Sequence, residues 1–99
     1  MVIIKGQEFD FNGKNAEHIE RLDAANTAYQ QRQEATNARN DGTLKACSAM
    51  MRESCQNIRA FLDEVLGEGA ADRLEVSAVD MAQALEVLSA ACTAMTPGK

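Results

Sequence analysis

The chain has 99 residues, 45% of them hydrophobic and only 4% aromatic, and a formal net charge of −5 at pH 7. A chain of this length forms one domain, and its core must be built mainly from Leu, Ile, Val, Met and Ala. Phosphate binding needs clustered lysine and arginine, whereas the basic residues here are scattered among carboxylates, so the composition argues against a nucleic-acid partner.

The composition also argues against secretion and membrane insertion. The first residues, Met-Val-Ile-Ile-Lys, lack the pattern of a signal peptide. No window approaches the roughly 18 consecutive apolar residues of a membrane span, so we expect a cytoplasmic protein without membrane contact. The three cysteines, Cys47, Cys55 and Cys92, are odd in number and lie at apolar helical positions. This favours free core thiols over disulfides.

Residues 2–11 predict a β-hairpin. The first strand is β-branched, and the second alternates polar and apolar residues, which places Phe9 and Phe11 on one face. Lys5 and Gly6 suit the tight turn between them. An isolated hairpin is marginal in water, so this one must pack on helices or pair with strands of a partner. Its exposed edge is a template for such a strand.

Three helices are predicted after the hairpin, at about residues 14–40, 44–66 and 77–95, with a short helical turn at 70–74. The apolar pattern of the first helix thins after Tyr29. We therefore expect its second half to project into solvent or to be ordered by a partner. The second helix has the densest apolar stripe and ends at Gly67.

These elements predict a mainly α protein, a three-helix bundle with an N-terminal β-hairpin. The predicted organisation is a single domain over residues 1–99. It comprises the hairpin at 1–12, the helical bundle at 13–95 and a frayed tail at 96–99.

No residue pattern predicts a catalytic, cofactor-binding or metal-binding site. The cysteines lack metal-ligand spacing, and His18 is the only histidine. Core thiols and a surface histidine are therefore a better interpretation than a zinc site or a Cys–His nucleophile. The glycines of Gly67-Glu68-Gly69 are not followed by the Lys-Ser/Thr of a phosphate loop, so they indicate the end of a helix.

Two segments carry a resemblance to a known family. They are Phe9-Asp10-Phe11-Asn12, which ends the strand pair, and residues 58–74, which include Phe61 to Gly69 as F-L-D-E-V-L-G-E-G. With the long polar helix between them, these segments resemble small tail-assembly chaperone-like proteins of long-tailed phages and prophages. The resemblance implies a non-enzymatic protein of the bacterial host's cytoplasm. It also implies a partner, a tail-tube or tape-measure protein that is shielded until assembly.

We expect apolar side chains on the hairpin and the helices to contact this partner, because apolar burial contributes roughly 25 cal/mol per Å². The candidate partner-binding residues are Ile4, Phe9, Phe11, Tyr29, Met50 and Phe61. One alternative is a homo-oligomeric structural or scaffold protein that associates through the hairpin edge and the first helix. A thiol- or metal-dependent enzyme is the third and weakest alternative.

Overall fold

The computed structural model describes residues 1–96. The elements in chain order are strands β1 (Val2–Ile4) and β2 (Gln7–Phe9), followed by helices α1 (Ala16–Ala38), α2 (Leu44–Leu66), α3 (Ala70–Arg73) and α4 (Met81–Met95). The prediction of a mainly helical protein with an N-terminal hairpin is confirmed. Of the predicted frayed tail, residues 97–99 lie outside the described residues. Within the described chain, no helix is both long and apolar enough to cross a membrane.

The hairpin closes through a two-residue turn. Its strands pair antiparallel with Ile4 opposite Gln7, and the turn residues Lys5 and Gly6 have φ values of 50° and 80°. Positive φ at both positions is typical of the turn that matches the twist of paired strands. The hairpin packs on α4 of the same chain, and Lys5 Nζ lies 3.5 Å from a carboxylate oxygen of Glu86.

Local hydrogen bonds define the helix starts. The side chains of Asn15 and Thr43 cap α1 and α2 by accepting from backbone N–H groups of the first turn. The third long helix begins later than predicted, at Met81 instead of residue 77. The Ser77 hydroxyl accepts from the N–H groups of Val79 and Asp80 and forms a turn there. Asp80 then caps α4 by accepting from the N–H of Gln83.

Helix α2 is central, because α1, α3 and α4 all contact it. The apolar core forms where the second half of α2 meets the hairpin, α3 and α4. Its largest fully buried side chains are Ile4, Phe9, Cys55, Ile58, Phe61, Leu62, Val65, Val87 and Met95. Residues 26–54, all of them described, contain no buried apolar side chain. The core therefore occupies one end of a molecule that measures 44 × 24 × 23 Å.

We call residues 30–53 the arm: the second half of α1, the connecting loop and the first half of α2, a segment without buried apolar side chains. The helical turns of the arm have few apolar neighbours. The function of the arm therefore depends on the polar contacts that hold it and on the side chains that it exposes.

Gly67 ends α2 in a backbone conformation that side chains rarely adopt, with φ 108° and ψ 155°. Its N–H still donates to the carbonyl of Asp63 at 3.0 Å. Because an added methyl group would point into open space, Gly67→Ala should cost backbone strain alone, about 1–3 kcal/mol of unfolding free energy. Urea unfolding checks this. The control variant Glu68→Ala, at the exposed neighbouring residue, should change the unfolding free energy by less than about 0.5 kcal/mol. Equal losses of unfolding free energy in the two variants would contradict the assignment of backbone strain to Gly67.

Candidate partner-binding surface

The six side chains predicted to bind a partner fall into two groups. Four are 1% or 2% exposed and lie in the core of this chain: Ile4, Phe9, Phe11 and Phe61. The other two, Tyr29 and Met50, are half-buried. Phe9 and Phe11, predicted to share one face of a strand, are both covered, but β2 ends at Phe9, and the Phe11 N–H donates to the Phe9 carbonyl at 2.9 Å just after the strand. The Arg73 guanidinium lies 4.3 Å above the Phe9 ring, and the Phe11 ring packs against His18 with centroids 5.8 Å apart.

Tyr29 and Phe61 come together beside an open cleft of about 360 Å³ between α1, α2 and α4. Their ring centroids are 5.7 Å apart. Burial raises the pKa of the Tyr29 hydroxyl, and the neighbouring Cys92 thiol raises this pKa further. The apolar part of the lining is Ile19, Leu22, Phe61, Cys92 and Met95, and the polar part is Asp23, Asn26 and Thr96.

Two of the three thiols, those of Cys55 and Cys92, do not have the environment of nucleophiles. Loss of hydration raises the pKa of Cys92, which lies at the cleft, and burial raises the pKa of Cys55. A nucleophilic cysteine needs a lowered pKa. His18 belongs to the first turn of α1, where its Nδ1 accepts from the N–H of Asn12 at 2.9 Å. Within residues 1–96, no three His, Cys, Asp or Glu side chains are grouped to hold a metal ion.

Alkylation of Cys92 should therefore require a higher pH in the folded protein than in the unfolded chain. The folded state favours the neutral thiol, so less of the reactive thiolate is present at any given pH. Peptide mass spectrometry after brief iodoacetamide treatment across a pH series, with and without urea, measures this. Cys55 should be protected unless urea is present, since it is 0% exposed. A lower midpoint pH for Cys92 in the folded protein would contradict the account.

Polar side chains join the second half of α1 to the part of α2 that follows the arm. We call them the polar ladder: Gln33, Thr36, Ser54 and Asn57. The Gln33 amide donates to Ser54 Oγ at 2.9 Å, and the Asn57 amide donates to Gln33 Oε1 and to Thr36 Oγ1, each at 3.1 Å. Ion pairs of Arg32 with Glu64 and of Arg39 with Glu53 flank the ladder. The second half of α1 is thus ordered by α2 of its own chain, without an apolar seam.

One face of α2 is buried along the second half of the helix and exposed along the first half, which belongs to the arm. Cys55, Ile58 and Leu62 are 0% exposed, whereas Leu44 is 90% and Met51 is 37% exposed on the same side of the helix. The half-buried Cys47 lies between them. We call Leu44, Cys47 and Met51 the α2 stripe.

The position at which α4 begins explains why this face of α2 is exposed in the arm. The carboxylate of Asp80, the N-cap of α4, is close enough to contribute, after burial, to the raised pKa of Cys55. Asn57 and Phe61, which face α1, lie on a different side of α2. The stripe therefore lies on α2 beyond Cys55, the residue that the start of α4 approaches.

The two outer edges of the hairpin differ. Because Ile4 and Gln7 flank a two-residue turn and bond to each other, the backbone groups of Ile3 and Glu8 point outward. The Glu8 carbonyl accepts from the Arg73 guanidinium at 2.8 Å, so the β2 edge is occupied. Ile3 on the β1 edge is 63% exposed and has no hydrogen-bonded strand beside it in the described residues.

The candidate residues predicted from the sequence include none of the three stripe residues, Leu44, Cys47 and Met51. The available signal was a run of nine residues, 44–52, that keeps an apolar spacing and contains no acidic residue. Spacing alone does not show which turns of a stripe another helix covers.

Comparison with known proteins gives one match. Residues 5–98 match the family DUF6673, a family of unknown function. No curated protein and no solved structure matches the chain. Because the match spans nearly the whole length, the chain belongs to the DUF6673 family.

Proposed function

We propose that this protein is a non-enzymatic assembly factor of a phage or prophage, a tail-assembly chaperone that binds a tail-tube or tape-measure protein in the host cytoplasm. The observation that carries the binding role is the uncovered α2 stripe at the end of the arm. The identity of the partner rests on the resemblance of Phe9–Asn12 and residues 58–74 to tail-assembly chaperone-like proteins. In this proposal the three long helices act as one bundle.

The stripe supplies the binding energy, and the core supplies its rigid support. Covering Leu44 fully and Met51 in part would contribute about 2–4 kcal/mol, roughly a 30- to 700-fold change in affinity. A net charge of −5 favours solubility of the complex while an aggregation-prone partner is held. Phe9 and Phe11 act indirectly in this mechanism, since they hold the hairpin on the core.

Capture of the proteins encoded by the neighbouring genes tests the proposal. The tagged protein is co-expressed with each of them, and the captured fraction is measured for the natural chain and for Leu44→Ser/Met51→Ser. The double variant should lose about 30-fold or more of its affinity. Leu85→Ser is the matched control, because Leu85 is also an exposed leucine, 44% exposed, but belongs to α4 and not to the stripe.

Two results would count against the proposal in different ways. If the natural chain captures no tail protein, the tail-assembly role is wrong. If the double variant captures as much as the natural chain, the stripe is not the binding surface. Circular dichroism of each variant checks that its helical content is unchanged.

A homo-oligomeric structural or scaffold protein remains the second candidate, and the open β1 edge favours it. Two copies could pair antiparallel through the outward backbone groups of Ile3 and form one four-stranded sheet. Sedimentation over a wide concentration range tests this. A dimer that Ile3→Lys converts to a monomer would support the candidate, because an exposed lysine disfavours edge pairing. A monomer at every concentration would eliminate it.

A further inference from the structure

The α2 stripe has a basic flank. Lys45 and Arg52 each follow a stripe residue by one position and are seven residues apart, so they lie along the same side of the stripe. Both are exposed, and neither forms an ion pair within residues 1–96. The arm's other arginines, Arg32 and Arg39, are paired with Glu64 and Glu53. Although the net charge of the chain is −5, Lys45 and Arg52 lie beside the exposed side chains of Leu44 and Met51 and have no ion-pair partner among residues 1–96.

The other flank of the stripe is closed. Met50 is half-buried, and its sulfur accepts from the Ser54 hydroxyl at 3.8 Å, next to the polar ladder. Farther around the helix, Glu53 is paired with Arg39 of α1. A partner that covers Leu44 and Met51 must therefore extend toward Lys45 and Arg52, away from α1.

We infer that the α2 stripe binds an amphipathic helix of another protein, one that carries acidic residues along the flank of its apolar face. This inference rests on the proposed function and names the chemistry of its partner. A helix fits because α4 already packs against α2 in this way. Leu44 to Met51 spans about 10 Å, the length of two helical turns. Acidic residues on the bound helix complement Lys45 and Arg52. The acidic surface elsewhere on this chain repels the same residues, so it disfavours other orientations of the bound helix.

Synthetic peptides test the inference directly. Two fluorescein-labelled helical peptides of about 14 residues share one apolar face, and its flank carries glutamates in one peptide and lysines in the other. Fluorescence anisotropy should show that the protein binds the glutamate peptide about ten-fold or more tightly than the lysine peptide. The difference should shrink when the salt concentration rises from about 0.05 M to about 0.5 M, because salt screens exposed charges.

Charge reversal supplies a result that misfolding cannot imitate. Lys45→Glu/Arg52→Glu should prefer the lysine peptide. Lys14→Glu/Arg21→Glu is the matched control, with the same charge change at exposed residues outside the arm. It should still prefer the glutamate peptide.

The inference is overturned if neither peptide binds, if both bind equally, or if reversal leaves the preference unchanged. It is also overturned if the natural chain is a dimer that Leu44→Ser/Met51→Ser converts to a monomer, because a second copy then covers the stripe. If the charge-reversed variant captures the tail protein as well as the natural chain, the inference fails and the proposed function stands. If the peptide preferences hold but no tail protein binds, the proposed function fails and the inference stands.

Discussion

Replacement of Phe61 by alanine should lower the unfolding free energy by about 3–5 kcal/mol, because a buried aromatic ring is lost and a cavity remains. Phe61 is 2% exposed, contacts the Tyr29 ring and forms part of the cleft lining. Small domains have total stabilities of about 5–15 kcal/mol, so the variant should be close to unfolding at moderate urea concentrations. Urea titration followed by circular dichroism measures the loss.

Leu44→Ala is the control for Phe61→Ala, because both remove a large apolar side chain from α2. Leu44 is 90% exposed, so its loss should change stability by less than about 0.5 kcal/mol. Similar losses for the two variants would mean that Leu44 is covered in solution. That result would remove the basis for assigning the stripe to a partner.

The second large effect is expected at the polar ladder. Asn57→Ala should cost about 1–3 kcal/mol, because it leaves the acceptors on Gln33 and Thr36 without their donor. Thr36 is only 2% exposed, so its hydroxyl has little access to replacement water. Urea unfolding measures the cost, and Gln56→Ala, at an exposed position beside it, should be near neutral.

The double variant Thr36→Val/Asn57→Ala isolates the hydrogen bond. Replacing both partners with apolar groups removes the unpaired acceptor on Thr36, while the acceptor on Gln33 stays unpaired as in Asn57→Ala, so the double variant should lose less than the sum of the two single variants. Strict additivity would show that the contact between Asn57 and Thr36 contributes little to holding α1 against α2.

Local interactions explain the parts of the fold that the sequence predicts well. Lys5-Gly6, Thr43 and Gly67 each define an element boundary through their own backbone preferences or hydrogen bonds, and the structure has a boundary at each. Local hydrogen bonds also explain why α4 begins later than predicted. Ser77 can cap a helix or form a turn, and only the position of Gln83 shows that Asp80 is the cap.

Burial depends on packing between distant parts of the chain, and there sequence patterns predict less. Period-two alternation predicts a strand through Phe11, but β2 ends at Phe9. The alternation also does not show that α4 and His18 lie against the hairpin and the following loop. The thin apolar pattern after Tyr29 predicts a half-helix that projects into solvent or is ordered by a partner, whereas α2 of the same chain holds this half of α1 through polar side chains. The pattern does not predict that Gln33 and Thr36 meet Ser54 and Asn57 in matching register.

Amide hydrogen exchange with and without the tail protein that the chain captures is the most direct test of the central claim that the α2 stripe is the partner-binding surface. The account predicts slower exchange on binding in residues 44–52, because a covered helix face opens less often. The hairpin should change little. Unchanged exchange in residues 44–52, with new protection confined to β1 or to the cleft, would contradict the claim.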